Sequence, residues 1–299
     1  MLIRASNGTM MDVASFGRDQ DPPLLLIIGL SATRTMWPDE LIEKLVASGL
    51  RVITLDNRDI GLSQKFPQGN WPNRLVQFSM ARMGRSLPVP YDLHDMVADT
   101  IGVMDTLGLE EAHIAGLSMG GMIGQIMAAK YPDRVLSYTC IMSTTNNPKL
   151  KGPSLRAVRA LLRQPKSNQV EELTAHAVQT FSVIGSFREP DEAARMRDHF
   201  RLTYERSNDV TGVPRQTSAI LGTGDLSHFT KSIRVPTLVV HGTQDILVPI
   251  EAGREVARLV PGAKMREIEG MAHDLPDRFI DPVVDAISEH VSAKTLVEV

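Results

Sequence analysis

Gly116-Leu117-Ser118-Met119-Gly120 sets a serine between two glycines, at the point where a strand-like apolar run gives way to a helical period. A serine hydroxyl is a poor nucleophile at neutral pH. It does chemistry only when an imidazole takes its proton and a carboxylate holds that imidazole in one tautomer. Both residue types follow. Pro236 to Val240 reads as buried strand, and His241-Gly242-Thr243-Gln244-Asp245 carries an aspartate out of it. The next strand signal, Lys264 to Ile268, runs through Glu269-Gly270-Met271-Ala272 to His273. Ser118, Asp245 and His273 therefore each lie just beyond a strand, in the chain order serine, acid, histidine, and the chemistry they could perform is acyl transfer. The amide of Met119, first in its helix, could donate to a developing oxyanion, and the amide of Leu30, after Gly29, is the candidate second donor.

Plainer readings stand beside these. The pentapeptide could be a glycine-rich turn with an incidental serine, Asp245 could cap the helix after Pro249, and His273 could cap the helix containing Pro276. Three strand ends occupied in one chain order favour the site. Glu269 and Asp274 read as solvated loop charge, and His241 as packed beneath its loop. His113 and His94 read as structural or solvated. No histidine pair has metal-ligand spacing with cysteines or carboxylates, and no Gly-x-x-x-x-Gly-Lys phosphate loop occurs, so neither metal nor cofactor is expected.

The elements that must position these residues are legible in the apolar pattern. Leu24 to Ile28 and Val52 to Leu55 are short, nearly continuous apolar runs, as in strands buried on both faces of a parallel sheet. Between them a helical period through Leu41, Leu45 and Val46 ends at Gly49. Tyr91 to Leu107 repeats that period until Gly108, and strand resumes at His113 to Ala115. Met119 to Lys130 is predicted as helix and Val135 to Met142 as strand. From Leu150 to about Ser227 only helical periods occur. Strand returns at Thr237 to Val240 and Lys264 to Ile268, around a helix over Ala252 to Leu259. The alternation predicts an α/β fold with a doubly wound, mostly parallel sheet, its core at 1–149 and 228–299 and a helical insertion at 150–227.

Composition narrows the setting. The chain has 299 residues, 42% apolar and 22% charged, which suits a globular core rather than disorder. A formal charge of -3 recruits neither nucleic acid nor an anionic membrane, so a small neutral substrate is expected. The single cysteine, Cys140, excludes an intrachain disulfide. The opening residues contain no secretory apolar stretch, and no run approaches the roughly 20 residues of a spanning helix. A cytoplasmic protein is expected; a homo-oligomer remains open. Between Lys149 and Lys166 every charge is basic, which reads as the solvated face of a helix or as a surface for an acidic partner. Met80, Met83, Met96 and Met122, with Phe78, Leu87 and Tyr91, read as core filling or as an adaptable pocket. The segment from Gln64 to Pro90, long for a connection, reads as a flap.

Together these residues resemble the α/β-hydrolase family, and within it the bacterial carboxylesterase and aclacinomycin-methylesterase-like group, over nearly the whole chain. The resemblance implies Gly29-Leu30 as oxyanion loop, Ser118, Asp245 and His273 as triad, and 150–227 as a helical cap. Asp56-Asn57-Arg58-Asp59-Ile60-Gly61-Leu62-Ser63 looks like the family's Asp-x-Arg-x-x-Gly-x-Ser loop, with Asp56 and Arg58 expected to brace it internally. Ile28 stands where many relatives carry histidine. Serine rather than aspartate at 118 disfavours an epoxide hydrolase or dehalogenase. The implied activity is cleavage of a small carboxylic ester without a cofactor. A carbon-carbon bond hydrolase, a perhydrolase and a non-catalytic ligand-binding protein are the alternatives.

Overall fold

The apolar runs form the centre of one sheet in a computed structural model that describes residues 1–67, 89–187 and 190–295. Strands β1 (Leu2–Arg4), β2 (Met10–Phe16), β3 (Pro23–Ile27), β4 (Arg51–Leu55), β5 (Ala112–Leu117), β6 (Val135–Ile141), β7 (Thr237–Gly242) and β8 (Lys264–Ile268) lie in the order β1-β2-β4-β3-β5-β6-β7-β8. From β4 to β8 every pairing is parallel, while β1 and β2 add an antiparallel margin beside β4. That margin was not legible in sequence. Asp12 breaks the apolar pattern of β2, yet it is buried, because Arg34 and Arg206 from elsewhere compensate its charge.

Alternation along each inner strand builds two cores. Leu25 and Ile27 of β3 face one cluster with Ile53, Leu55, Ile114 and Val239, whereas Leu24 and Leu26 face the other with Val52, Ala115 and Val240. The first is covered by α2 (Leu93–Thr106), α3 (Met119–Lys130) and α9 (Ile250–Leu259), the second by α1 (Asp39–Ala47) and α10 (Ile280–Thr295). This is the doubly wound arrangement. Helix α3 is apolar all round and buried over most of its length, as befits a helix enclosed by its neighbours. Helix α2 starts two residues later than the period implied: Asp92 accepts from the amides of His94 and Asp95 while Asp95 accepts from that of Asp92, a reciprocal cap.

Between β6 and β7 the described residues contain no strand. They form α4 (Leu155–Leu162), α5 (Val170–Ile184), α6 (Pro190–Arg206), α7 (Val213–Thr223) and α8 (Ser227–Ser232). These helices are tied to loops that leave the carboxyl edge of the parallel strands. Gln216 reaches Ser31 after β3, Arg206 reaches Asp56 after β4, Leu226 reaches Thr145 after β6, and Ile184 reaches His273 after β8. Among the described residues no helix is long and apolar enough to cross a membrane. The flap expected at 64–90 falls mostly outside the described residues, as do Phe78, Met80, Met83 and Leu87; Met96 and Met122 are ordinary core.

The loop from Asp56 to Ser63 corrects one expectation. Asp56 does brace it internally, accepting from the Leu62 amide at 2.9 Å, but it also accepts from the Arg34 amide at 2.6 Å and from Arg206 at 2.7 Å. Arg58 turns away from the loop altogether. It makes a bidentate pair with Asp99 of α2, at 2.5 and 2.7 Å, with Phe66 and Tyr91 against its guanidinium. Asp59 is held likewise by Arg215 of α7, at 2.8 Å twice.

Candidate active site

Ser118 occupies the turn between β5 and α3 with φ 55° and ψ -117°, a conformation L-residues adopt only where the surroundings impose it. The imposition is a double close approach. A Cβ on Gly116 would lie 2.2 Å from the Gly120 carbonyl oxygen, and one on Gly120 would lie 1.9 Å from that of Ile27. Only glycines let α3 start so near the sheet, and this proximity lifts the serine out of the strand. The Ser118 amide donates to Ile141 at 2.9 Å, and the Ser143 hydroxyl donates to the Ser118 carbonyl at 2.7 Å, fixing both sides of the turn. The amide of Met119 opens α3, where the first N–H groups have no intrahelical acceptor.

Leu30 lies across the sheet's switch point from this turn. Strand order reverses between β3 and β5, so their exits diverge and leave a crevice, the usual place for a ligand in an open α/β sheet. Gly29 comes so close that a Cβ there would be 3.2 Å from that of Ser118. The exit of β3 is pinned by Asn57, whose amide donates to the Ile28 carbonyl at 2.9 Å. Gln216 accepts from the Ser31 amide at 3.0 Å.

The loops after β7 and β8 are stitched to each other. Gln244 N–H donates to Met271 at 2.9 Å, Thr243 N–H to Ile268 at 3.1 Å, and Gly270 N–H to the Thr243 hydroxyl at 3.0 Å. The result brings Asp245 to His273: the ring Nδ1–H donates to Asp245 Oδ2 at 2.7 Å. The other carboxylate oxygen, Oδ1, accepts from the amides of Leu247 and Val248 at 2.9 and 2.8 Å. Asp245 is thus committed on both oxygens and does not cap α9, which begins at Ile250. His273 sits seven residues before α10 and caps nothing there. Among the described residues no hydrogen bond joins the Ser118 hydroxyl to the His273 ring; such contacts are often long in ligand-free enzymes and tighten on substrate binding.

Burial of the His273 ring pushes its pKa down, but the charge and hydrogen bond of Asp245, helped by the charge of Asp274, more than offset this, leaving it above the ordinary imidazole value. His241 behaves oppositely. It is fully buried beneath the loop, its Nε2–H donating to the Val248 carbonyl at 2.8 Å, and burial holds its pKa down and its ring neutral. Cys140 on β6 is buried and its thiol is pushed up to about 11 by burial, which makes it a poor nucleophile. Among the described residues no cluster of three or more His, Cys, Asp or Glu side chains is arranged to hold a metal ion.

The family of the α/β hydrolase fold matches the chain over residues 22–277. The chain belongs to that family. This hydrolase is 28% identical over 305 aligned residues to the rhodomycin D methylesterase of Streptomyces peucetius, with 94% of each chain covered. It is 26% identical to the 2-hydroxy-6-oxononadienedioate/2-hydroxy-6-oxononatrienedioate hydrolase of Paraburkholderia phymatum, over 63% of this chain and 66% of that one. Among solved structures, the enol-lactonase from Burkholderia xenovorans LB400 superposes with a TM-score of 0.70 at 26% identity, covering 99% of this chain and 100% of that one. The esterase RhEst1 from Rhodococcus shares the fold with a TM-score of 0.72 at 21% identity, covering 98% of each.

Two features of the hydrolase escaped sequence reasoning. Asp274 is not solvated loop charge: it is buried, accepting from the Ser186 amide at 2.8 Å and the Ser186 hydroxyl at 2.6 Å, and burial raises its pKa. Together with the His273 amide, which donates to Ile184 at 3.0 Å, it fastens the histidine loop to the end of α5. Gln216, which steadies the Leu30 loop, is equally remote in sequence. No local signal could have found contacts spanning 88 and 185 residues. Glu269 is exposed, as expected.

Proposed function

We propose that this hydrolase cleaves small carboxylic esters by acyl transfer, with Ser118 as nucleophile, His273 as general base and acid, Asp245 as its orienter, and the amides of Leu30 and Met119 as oxyanion donors. The observation that carries the reading is the Asp245–His273 hydrogen bond, lying on the same sheet edge as the strained serine turn. With Nδ1–H committed to Asp245, the lone pair of Nε2 is free to take a proton. Ser118 Oγ bonds to the ester carbonyl carbon as its proton passes to Nε2, and the carbonyl oxygen becomes the oxyanion. Collapse expels the alkoxide, which takes that proton and leaves as the alcohol. Water, deprotonated by Nε2, then attacks the acyl-enzyme, and Ser118 recovers its proton as the acid departs. Each oxyanion donor contributes about 3 kcal/mol of transition-state stabilisation.

The helical segment 150–227, tied to four loops around the crevice, serves in this reading as the cap that selects substrate. Ester cleavage is favoured over carbon-carbon cleavage because the similarity to a methylesterase runs through 94% of the chain, against 63% for the dienedioate hydrolase. Covalent labelling by a fluorophosphonate, together with turnover of a short-chain nitrophenyl ester, tests the proposal. Ser118→Ala is expected to abolish labelling and to lower turnover by up to about a millionfold. Folded wild-type protein that takes no label would return the chain to the non-catalytic, ligand-binding alternative.

A further inference from the structure

Helix α4 directs its small residues inward. Ala157 and Ala160 are its buried positions. With about 100° between successive residues, Leu155, Val158 and Leu162 fall on the opposite side. Leu155 is 80% and Leu162 60% exposed, and Val158 is half-buried. Leucines at this spacing ordinarily mark the face a helix buries, and here that stripe points into solvent. Arg156, Arg159 and Arg163 form the adjoining stripe, all exposed. From residue 149 to 166 the charges are Lys149, Lys151, Arg156, Arg159, Arg163 and Lys166, with no acid among them, in a chain whose net charge is -3. Arg163 and Lys166 also line a shallow cavity of about 570 Å³, with His176 of α5 and Arg197 of α6 on its other walls and Glu172 its one acidic group.

Although the net charge of -3 recruits no anionic membrane to the chain as a whole, we propose that this locally basic face docks on an anionic phospholipid surface, the Leu155–Val158–Leu162 stripe entering the acyl boundary while the arginines and the basic cavity take lipid phosphates. The pattern is that of an interfacial helix: a leucine stripe beside guanidinium groups on long stems that can reach headgroups. A second copy of the chain does not fit as a symmetric pair, because joining this face to itself would set Arg156, Arg159 and Arg163 against the same three arginines. An acidic protein fits less well. Two helical turns carrying a convex leucine stripe give a partner's anchor residue no pocket to fill, whereas a bilayer requires none. Burying the leucines from water and neutralising the arginines both favour the membrane-bound state. The inference stands apart from the ester-cleaving reading, since binding is measured without turnover.

Sedimentation of the 299-residue protein with vesicles tests it. The protein is expected to bind vesicles of phosphatidylglycerol and phosphatidylcholine in equal parts, and not vesicles of phosphatidylcholine alone. The triple change Arg156→Gln, Arg159→Gln, Arg163→Gln is expected to weaken binding about a hundredfold. The double change Leu155→Ser, Leu162→Ser is expected to weaken it about tenfold or more. All five positions are exposed, so thermal midpoints should match wild type and separate lost binding from lost folding. Absence of binding to the phosphatidylglycerol vesicles would overturn the proposal, as would binding that neither variant changes. Binding weakened by the arginine changes but untouched by the leucine changes would also overturn it, because the leucine stripe would then not enter the acyl boundary.

Discussion

Replacing Asp245 by asparagine separates the orienting role of the carboxylate from its presence. In the wild type, Oδ1 accepts from two amides, Leu247 and Val248, and Oδ2 accepts from His273 Nδ1–H. An asparagine must keep its carbonyl oxygen toward the two amide donors, because turning its NH2 that way would set donor against donor twice. Its NH2 then faces His273, and Nδ1 must become the acceptor. The proton moves to Nε2, the nitrogen that should accept from Ser118, so the substitution installs the wrong tautomer without disturbing the packing. Turnover of a nitrophenyl ester is expected to fall about 10⁴-fold, with a urea midpoint close to wild type. The pH profile gives a second readout. Catalysis requires the neutral ring, so wild-type activity rises as pH increases through a pKa that Asp245 and Asp274 hold above 6.5. Loss of the Asp245 charge lowers that pKa, and the residual activity of the variant should develop at lower pH. Turnover within tenfold of wild type, or a profile unmoved on the pH axis, would refute the assignment of Asp245 as orienter.

Other perturbations follow from the packing. Gly120→Ala forces α3 back from β3 by more than 1 Å, since its Cβ would meet the Ile27 carbonyl at 1.9 Å where contacts under 3.0 Å essentially never occur. The obstacle is backbone, so the loss is expected at or above the upper end of the usual overpacking cost, about 3 kcal/mol by urea denaturation, with turnover impaired because Ser118 moves with the helix. A variant of wild-type stability would contradict the close approach. Arg58→Leu leaves the buried carboxylate of Asp99 with the Asn7 side-chain amide, at 2.8 Å, as its remaining side-chain donor among the described residues. It is expected to cost about 3–5 kcal/mol, and a loss below about 1 kcal/mol in the same assay would show that water reaches Asp99 and replaces the guanidinium.

Much of the framework could be read directly. β3, β4, β5, β6 and β7 announce themselves because strands buried on both faces need apolar side chains at nearly every position, and a local window contains that information. The serine turn was legible for a similar reason: Gly116 and Gly120 are demanded by atoms a few residues away or on the adjacent strand, and the glycines record that demand in the chain. Asp245 and His273 could be located because parallel strands deliver their exits to one edge. The N-terminal hairpin was missed because one aspartate interrupts its pattern, and the start of α2 was displaced by a cap whose reciprocal geometry is invisible in the period.

What remained hidden was the fate of charge. Asp12, Asp56, Asp59, Asp99 and Asp274 are all buried, and each is satisfied by a partner brought from another part of the chain: Arg34, Arg206, Arg215, Arg58 and Ser186. Whether a carboxylate can leave water depends on where a cation or donor stands in three dimensions, not on its neighbours along the polymer. Residue types and spacing therefore announced a sheet and a row of candidate reactive groups. Only folding decided that aspartates resembling solvated loop charge would fasten the helical segment and the histidine loop, because the energy of a buried charge is set by partners many tens of residues away.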